Sequence, residues 1–273
     1  MKRSSVFAKL FLCFVIASQL LLSGCGSVPL TGRKQVLLVS EQEVLEAGLT
    51  QYKEYMAEAA LSTDAKASAM VSNVGKKLAQ ATEKYLKANG LESEIGNLTW
   101  EFSLVQNNEV NAFCLPGGKI VVYEGLLSVA QTEAELAVVI GHEIGHAVAK
   151  HSNERMSQQI MTQYGMAILS QALSQKSAAV QTVATSVFGL GAQVGLMLPY
   201  SRKHEYEADY MGIVFMEIAG YDSSSAIGFW TKMSAGSGNT SDFLSTHPSD
   251  SKRIAEITNR IPEAKTIGKT MNQ

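Results

Sequence analysis

Apolar residues recur along most of this chain at helical spacing. Ser40 followed by Glu43 opens one helix that runs toward Leu61. A second spans residues 65–88, where Met70, Val71, Val74, Leu78, Ala81 and Tyr85 share a face and Asn89-Gly90 makes the stop. The period changes to two over Leu98–Leu104, which reads as a half-buried strand, and Pro116-Gly117-Gly118 turns the chain into another, Lys119–Tyr123. Beyond that point the pattern is helical almost to the end. Thr132 with Glu135 forms a capping box for a helix carrying Leu136, Val139 and Ile140, and Gly220 reads as a helix C-cap. Residues 236–241 read as a flexible loop, and Ser249 begins a last helix that Pro262 terminates. The apolar stretch 178–200 is interrupted by Gln181, Thr182, Thr185, Ser186 and Gln193, so it reads as a buried or surface-lying helical segment and not as a membrane span. The prediction is an α+β, mostly helical domain with a small sheet.

The N-terminus changes that picture. Lys2, Arg3 and Lys9 precede a mostly apolar run over Leu10–Leu22 that is too short for a comfortable span, so it reads as an export signal. Its ending, Leu22-Ser23-Gly24-Cys25, resembles a bacterial lipobox, which implies a lipidated Cys25. Gly26 in place of an Asp implies the outer membrane as destination. The expected organisation is a signal peptide over 1–24, a lipidated tether over 25–39 and a single domain over 40–273. With 273 residues and 46% apolar content, the chain can bury a full-sized core. Cys13 leaves with the signal and Cys25 is committed to lipid, so Cys114 has no partner for an intramolecular disulfide and reads as a packed apolar residue. Three of the 23 basic residues and none of the 25 acidic ones leave with the signal, a balance of about −5 that argues against a nucleic-acid partner.

The chemistry is concentrated at residues 142–146, His-Glu-Ile-Gly-His. On a helix His142 and His146 leave the same face and can hold one Zn²⁺, while Glu143 sits beside them, able to take a proton from water activated by the metal. A catalytic zinc needs a third protein ligand. The variant motif that supplies it from the same segment is excluded, because Ala149 and Ser152 occupy its remaining positions. His151, five residues beyond His146, would point away from the metal on a continuous helix and reads as a surface or capping histidine. The best candidate lies in Ser201-Arg202-Lys203-His204-Glu205-Tyr206-Glu207-Ala208-Asp209, where a helix puts Glu205 and Asp209 on one face, one to bind metal and the other to accept an N–H from a ligating imidazole. On spacing alone a solvated charged face fits this segment as well.

HEIGH followed by SRKHEYEAD resembles the HtpX/CAAX-prenyl-protease family of zinc metalloproteases (peptidase family M48, gluzincins). VPLTGRKQVLLVS, NAFCLPGGKIVVYEGLL and THPSDSKRI are similar to segments of its soluble bacterial lipoprotein branch, and the likeness runs over roughly residues 28–261. It implies a zincin-like fold with the sheet packed on the His-Glu-x-x-His helix, one Zn²⁺ per chain, and Glu205 as third ligand. Glu207 is off the pattern and reads as surface; His204 is also a non-motif position, with a neighbouring ligand role left open. Asn111-Ala112-Phe113 resembles the edge-strand feature by which such proteases bind substrate backbone.

The chemistry that follows is peptide hydrolysis with Glu143 as base. His247, in Thr246-His247-Pro248, is a candidate either to stabilise the oxyanion or to occupy the open metal position and keep the enzyme latent; Arg253 and Arg202 are further candidates to assist. Export, tethering and a backbone-reading site point to unfolded or misassembled envelope proteins as substrates on the periplasmic side. The competing reading is a lipoprotein chaperone or assembly factor whose zinc site is structural or latent. A structural site has no need of Glu143.

Overall fold

A computed structural model describes residues 25–172, 201–235, 243, 247 and 251–273. The signal segment, the stretch 178–200 and the loop 236–241 lie outside the described residues. Two helices begin as their caps require. Ser40 accepts from Glu43 N–H and Glu43 returns a carboxylate to Ser40 N–H, opening α1 (Glu41–Glu58). Asp64 caps α2 (Ala65–Ala88), which buries Val71, Val74, Leu78, Ala81 and Tyr85. The single turn α3 (Glu92–Ile95) follows.

The sheet has three strands, β3 (Glu101–Val105), β4 (Ala112–Leu115) and β5 (Lys119–Tyr123), with β5 in the middle, parallel to β3 and antiparallel to β4. The strand expected from Leu98 enters its ladder three residues late, because Thr99 and Glu101 first donate to the carbonyls of Gly117 and Gly118 in the turn. Gly118 has φ +79°, and a Cβ there would lie 2.5 Å from the Trp100 ring, so the turn needs glycine twice over. Side-chain alternation sorts the sheet into two cores. Leu104, Ala112, Cys114, Ile120 and Val122 face α2, α4 (Glu133–Val148) and α6 (Arg202–Ile218); Phe113, Leu115, Val121 and Tyr123 face α1 and the start of α5 (His151–Ala172). The outer edge of β3 is covered by residues 60–62, whose backbone bonds to Leu104 and Gln106. Among the described residues, no strand pairs with the outer side of β4, where the Ala112 N–H donates to Asn111 Oδ1 and the Cys114 N–H to Glu143.

Two expectations change. Residues 25–39, read as a tether, include a hairpin of β1 (Cys25–Ser27) and β2 (Lys34–Val36) that docks on the helices. Val28 and Gln35 are buried, Leu38 N–H donates to Ser157, and Asn153 donates to the Val39 carbonyl. Pro262 does not end the last helix: after α7 (Ser225–Ala235), α8 (Ser251–Met271) runs through it. An interior proline costs about 3 kcal/mol, and burial of Ile257, Ile261 and Ala264 offsets it. Among the described residues no helix is long and apolar enough to cross a membrane.

Candidate active site

Helix α4 starts at Thr132, whose hydroxyl accepts from Glu135 N–H, with Glu133 and Glu135 suited to the positive end of the helix. The expected capping box is only half made, because the Glu135 carboxylate reaches back to Gln131 N–H and to Lys232. The helix delivers His142, Glu143 and His146 into the interior, all three buried. It crosses α6 with almost no side chains between the backbones. A Cβ on Gly145 would lie 2.6 Å from the Ala208 carbonyl oxygen, and one on Gly212 would lie 2.9 Å from Gly141 carbonyl carbon. This contact brings Glu205, one turn from Ala208, beneath the two histidines.

Four side chains then converge. One nitrogen or carboxylate oxygen from each of His142, His146, Glu205 and His247 lies within 4.8 Å of the others. The Nε2 atoms of His142 and His146 are 3.0 Å apart, and the Glu205 oxygens lie 3.4 and 3.5 Å from them. His247 brings Nδ1 to 3.1 Å from His142 Nε2 and 3.3 Å from Glu205. The donor set is imidazole and carboxylate, suited to a divalent metal. Both Glu205 oxygens are buried without a hydrogen bond, an arrangement that a cation would satisfy. Arg253, fully buried over the Trp230 ring, ion-pairs with Glu205 at 3.1 Å and forks onto Asp209. Burial raises the Glu205 carboxyl, but His247 and Arg253 beside it prevail and hold it well below the usual range.

Asp209 sits 2.9 Å from His142 Nδ1, the placement expected of a group that orients a ligating ring. Glu143 stands next to the cluster, its Oε1 3.5 Å from His247 Nε2 and its carboxylate taking the Cys114 backbone N–H. Burial pushes the Glu143 carboxyl up, toward the range of a working base. Cys114 is buried beside it, and burial raises its thiol well above the ordinary value, which leaves it unreactive. Asn111, Ala112 and Phe113 are all buried. Ala112 and Phe113 lie on β4, where Phe113 packs edge-on against Tyr55 and Tyr123. Arg202 is the first residue of α6.

Two residues read as peripheral are not. Helix α4 ends at Val148, and Lys150 adopts φ +56° before α5 starts at His151. A lysine in the left-handed region costs roughly 1–2 kcal/mol; here it is held by ion pairs to Glu41 and Glu94. The reversal swings His151 back, fully buried, with Nδ1 2.9 Å from His146 Nδ1. Glu207, expected at the surface, is buried and takes bonds from His151, Thr31 and Arg33. His204 is not in the metal cluster: it stacks on His151 and meets Glu154, which Arg33 also grips. Burial holds the His151 pKa down to about 4.

Burial raises the Glu154 carboxyl, but bonds from His204 and Arg33 outweigh it and lower the pKa from 4.5 to about 2. That stabilisation is fully present above the unfolded value and is lost as pH falls through the folded one, a contribution of up to about 3 kcal/mol. Metal-free protein is expected to lose this much between about pH 5 and pH 2, and Glu154→Gln to lose less over the same range. Denaturant midpoints falling in parallel for both proteins would contradict the assignment.

A small sheet packed on a His-Glu-x-x-His helix, with an acidic residue supplied by the crossing helix, is a zincin-like metalloprotease fold. The sequence profile of peptidase family M48 matches residues 72–261, and the chain belongs to that family. It is 41% identical over 175 residues to a mitochondrial metalloendopeptidase OMA1 of Arabidopsis thaliana, covering 64% of this chain and 34% of that one. It is 27% identical over 248 residues to metalloprotease YcaL of Escherichia coli, covering 86% and 94%. It is 31% identical over 173 residues to a β-barrel assembly-enhancing protease of Yersinia pestis, covering 61% and 35%. The chain spans a third to a half of the length of the Arabidopsis and Schizosaccharomyces pombe relatives it matches.

Proposed function

We propose that this chain is a zinc-dependent endopeptidase acting on extended or misfolded cell-envelope proteins. The observation that carries it is the convergence of His142 Nε2, His146 Nε2 and Glu205 next to a buried carboxylate, Glu143, that takes no part in the cluster. His142, His146 and Glu205 would hold a zinc ion, which when bound would supply the Lewis acid for a peptide carbonyl and an activated water near neutral pH. Glu143 takes the proton from the attacking water and returns it to the leaving amine. Asp209, clamped by Arg253, keeps His142 in the tautomer that leaves Nε2 bare. The side of β4 that no described strand pairs, running through Ala112 and Phe113, would align a substrate strand by backbone bonds that are indifferent to sequence, once Ala112 N–H exchanges its bond to Asn111 Oδ1 for the substrate. Such pairing needs an extended partner, which favours unfolded chains. The lipobox-like run ending at Cys25 supports anchorage by lipid on the periplasmic side, in the outer membrane. A relative named for β-barrel assembly fits envelope substrates.

A second reading concerns latency. His247 lies within bonding distance of the same cluster, so it can complete a four-residue set and close the position that catalysis needs. Zinc-loaded protein is expected to cleave unfolded casein, to stop on chelation and to recover with zinc, with a folded soluble protein cut far more slowly. Under the latent reading His247→Ala raises the rate; if His247 stabilises the oxyanion, the same change lowers it by about 10²-fold. Casein left intact by both zinc-loaded proteins would favour a chaperone or assembly factor.

A further inference from the structure

His142 has a carboxylate, Asp209, on its Nδ1. His146 instead turns its Nδ1 to a second imidazole, His151 Nδ1, at 2.9 Å. Two nitrogens at that distance share one proton. If His146 is to present a bare Nε2 to a metal, the proton must sit on His146 Nδ1 and His151 Nδ1 must accept it. A neutral His151 then carries its own proton on Nε2, which lies 3.0 Å from the Glu207 carboxylate. The opposite arrangement, with His151 donating from Nδ1, would put the His146 proton on Nε2 and leave that ring unable to bind. Glu207 therefore selects the tautomer of a ring two residues removed from it along the chain of bonds. Glu207 is itself fixed from outside the helices: Thr31 Oγ1 donates to one oxygen at 2.5 Å and Arg33 Nε to the other at 2.7 Å. Both belong to the hairpin turn between β1 and β2, and Arg33 also grips Glu154 on α5.

We propose that His151 is the positioning residue for His146, and that Glu207, held by Thr31 and Arg33, makes the N-terminal hairpin part of the support of the metal site. This rests on the reading of His146 as a zinc ligand through Nε2. Undocking the hairpin frees Glu207, lets the His151–His146 pair reverse its proton, and weakens the metal.

The first test is spectroscopic. In zinc-loaded wild-type protein labelled with ¹⁵N-histidine, long-range ¹H–¹⁵N correlation is expected to show His151 protonated on Nε2 with Nδ1 bare, and His146 protonated on Nδ1. A proton on His151 Nδ1 overturns the proposal. The second is zinc affinity measured by competition with a chromogenic chelator, with far-UV circular dichroism of the metal-free proteins as the folding control. His151→Ala is expected to bind zinc about 10–100-fold more weakly, and Arg33→Ala to lose affinity in the same direction by a smaller factor. Wild-type affinity in a folded His151→Ala refutes the positioning role, and in Arg33→Ala it removes the hairpin from the support. If His151→Ala does not fold, the tautomer spectrum decides. Wild-type protein that binds no zinc overturns the reading of the metal site, and this proposal with it; retained binding with unchanged His151→Ala affinity overturns this proposal alone.

Discussion

Glu143→Gln is expected to lower casein hydrolysis by about 10³-fold, within the range for loss of a general acid–base group, while zinc content stays at the wild-type level. Gln keeps the shape of the side chain and can still take the Cys114 backbone N–H through its carbonyl oxygen. It cannot accept a proton from water. Glu143 is outside the four-residue cluster, so its replacement leaves the metal donors in place. The wild-type carboxylate is buried with one oxygen lacking a hydrogen bond, which costs the fold. The amide removes the buried charge, and the variant is expected to melt at or slightly above the wild-type temperature. Activity above a tenth of wild type at matched zinc would end the assignment of Glu143 as the base. Loss of activity together with loss of zinc would point to a structural role for that carboxylate.

The second large effect is expected at Gly145. A Cβ at this position meets the Ala208 carbonyl oxygen at 2.6 Å and its Cα at 2.9 Å, backbone atoms that move only if α6 moves. Gly145→Ala should cost about 1–3 kcal/mol as an overpacked contact. Gly145→Leu should push the helices apart, carry Glu205 away from His142 and His146, and abolish zinc binding as well as lower Tm. The informative control is Gly228→Ala in α7, where an added Cβ meets nothing within 4 Å. There the gain in helix propensity should raise stability by up to about 1 kcal/mol. A Gly145→Ala protein as stable as the wild type, with full zinc affinity, would show that the crossing is not as tight as its geometry states.

The unequal legibility of this site follows from the range of the interactions involved. His142, Glu143 and His146 are readable because a helix converts a spacing of four into proximity, and Glu205 with Asp209 repeats the logic. Assembly of those two segments needs the glycine contact at Gly141, Gly145 and Gly212, and no local period announces which helices will cross. His151 faces the site because α4 ends before it, where the sequence pattern continues the helix. The break falls at Lys150, a residue with positive φ that gives none of the warning a glycine would. Glu207 looked solvent-facing because its partners, Thr31 and Arg33, lie in a segment that reads as tether. Pro262 failed as a stop signal for a related reason: the apolar face of α8 continues past it, and packing outweighs the lost hydrogen bond. Strand β4 shows no clean alternation because it is buried on both faces, and only its likeness to an edge-strand segment pointed to it.

The hairpin would also set the reach of an enzyme lipidated at Cys25. Its first strand begins at Cys25, with Cys25 already opposite Val36 in the ladder, so a lipid carried on that residue would attach to the folded body without slack. The domain would then stand on the bilayer instead of swinging from a leash, and its catalytic cleft would sweep a layer set by its own radius of gyration, about 18 Å for a body of this size. Under that geometry a chain would be cut for lying close to the membrane while unfolded, and distance from the lipid would become as strong a selector as sequence.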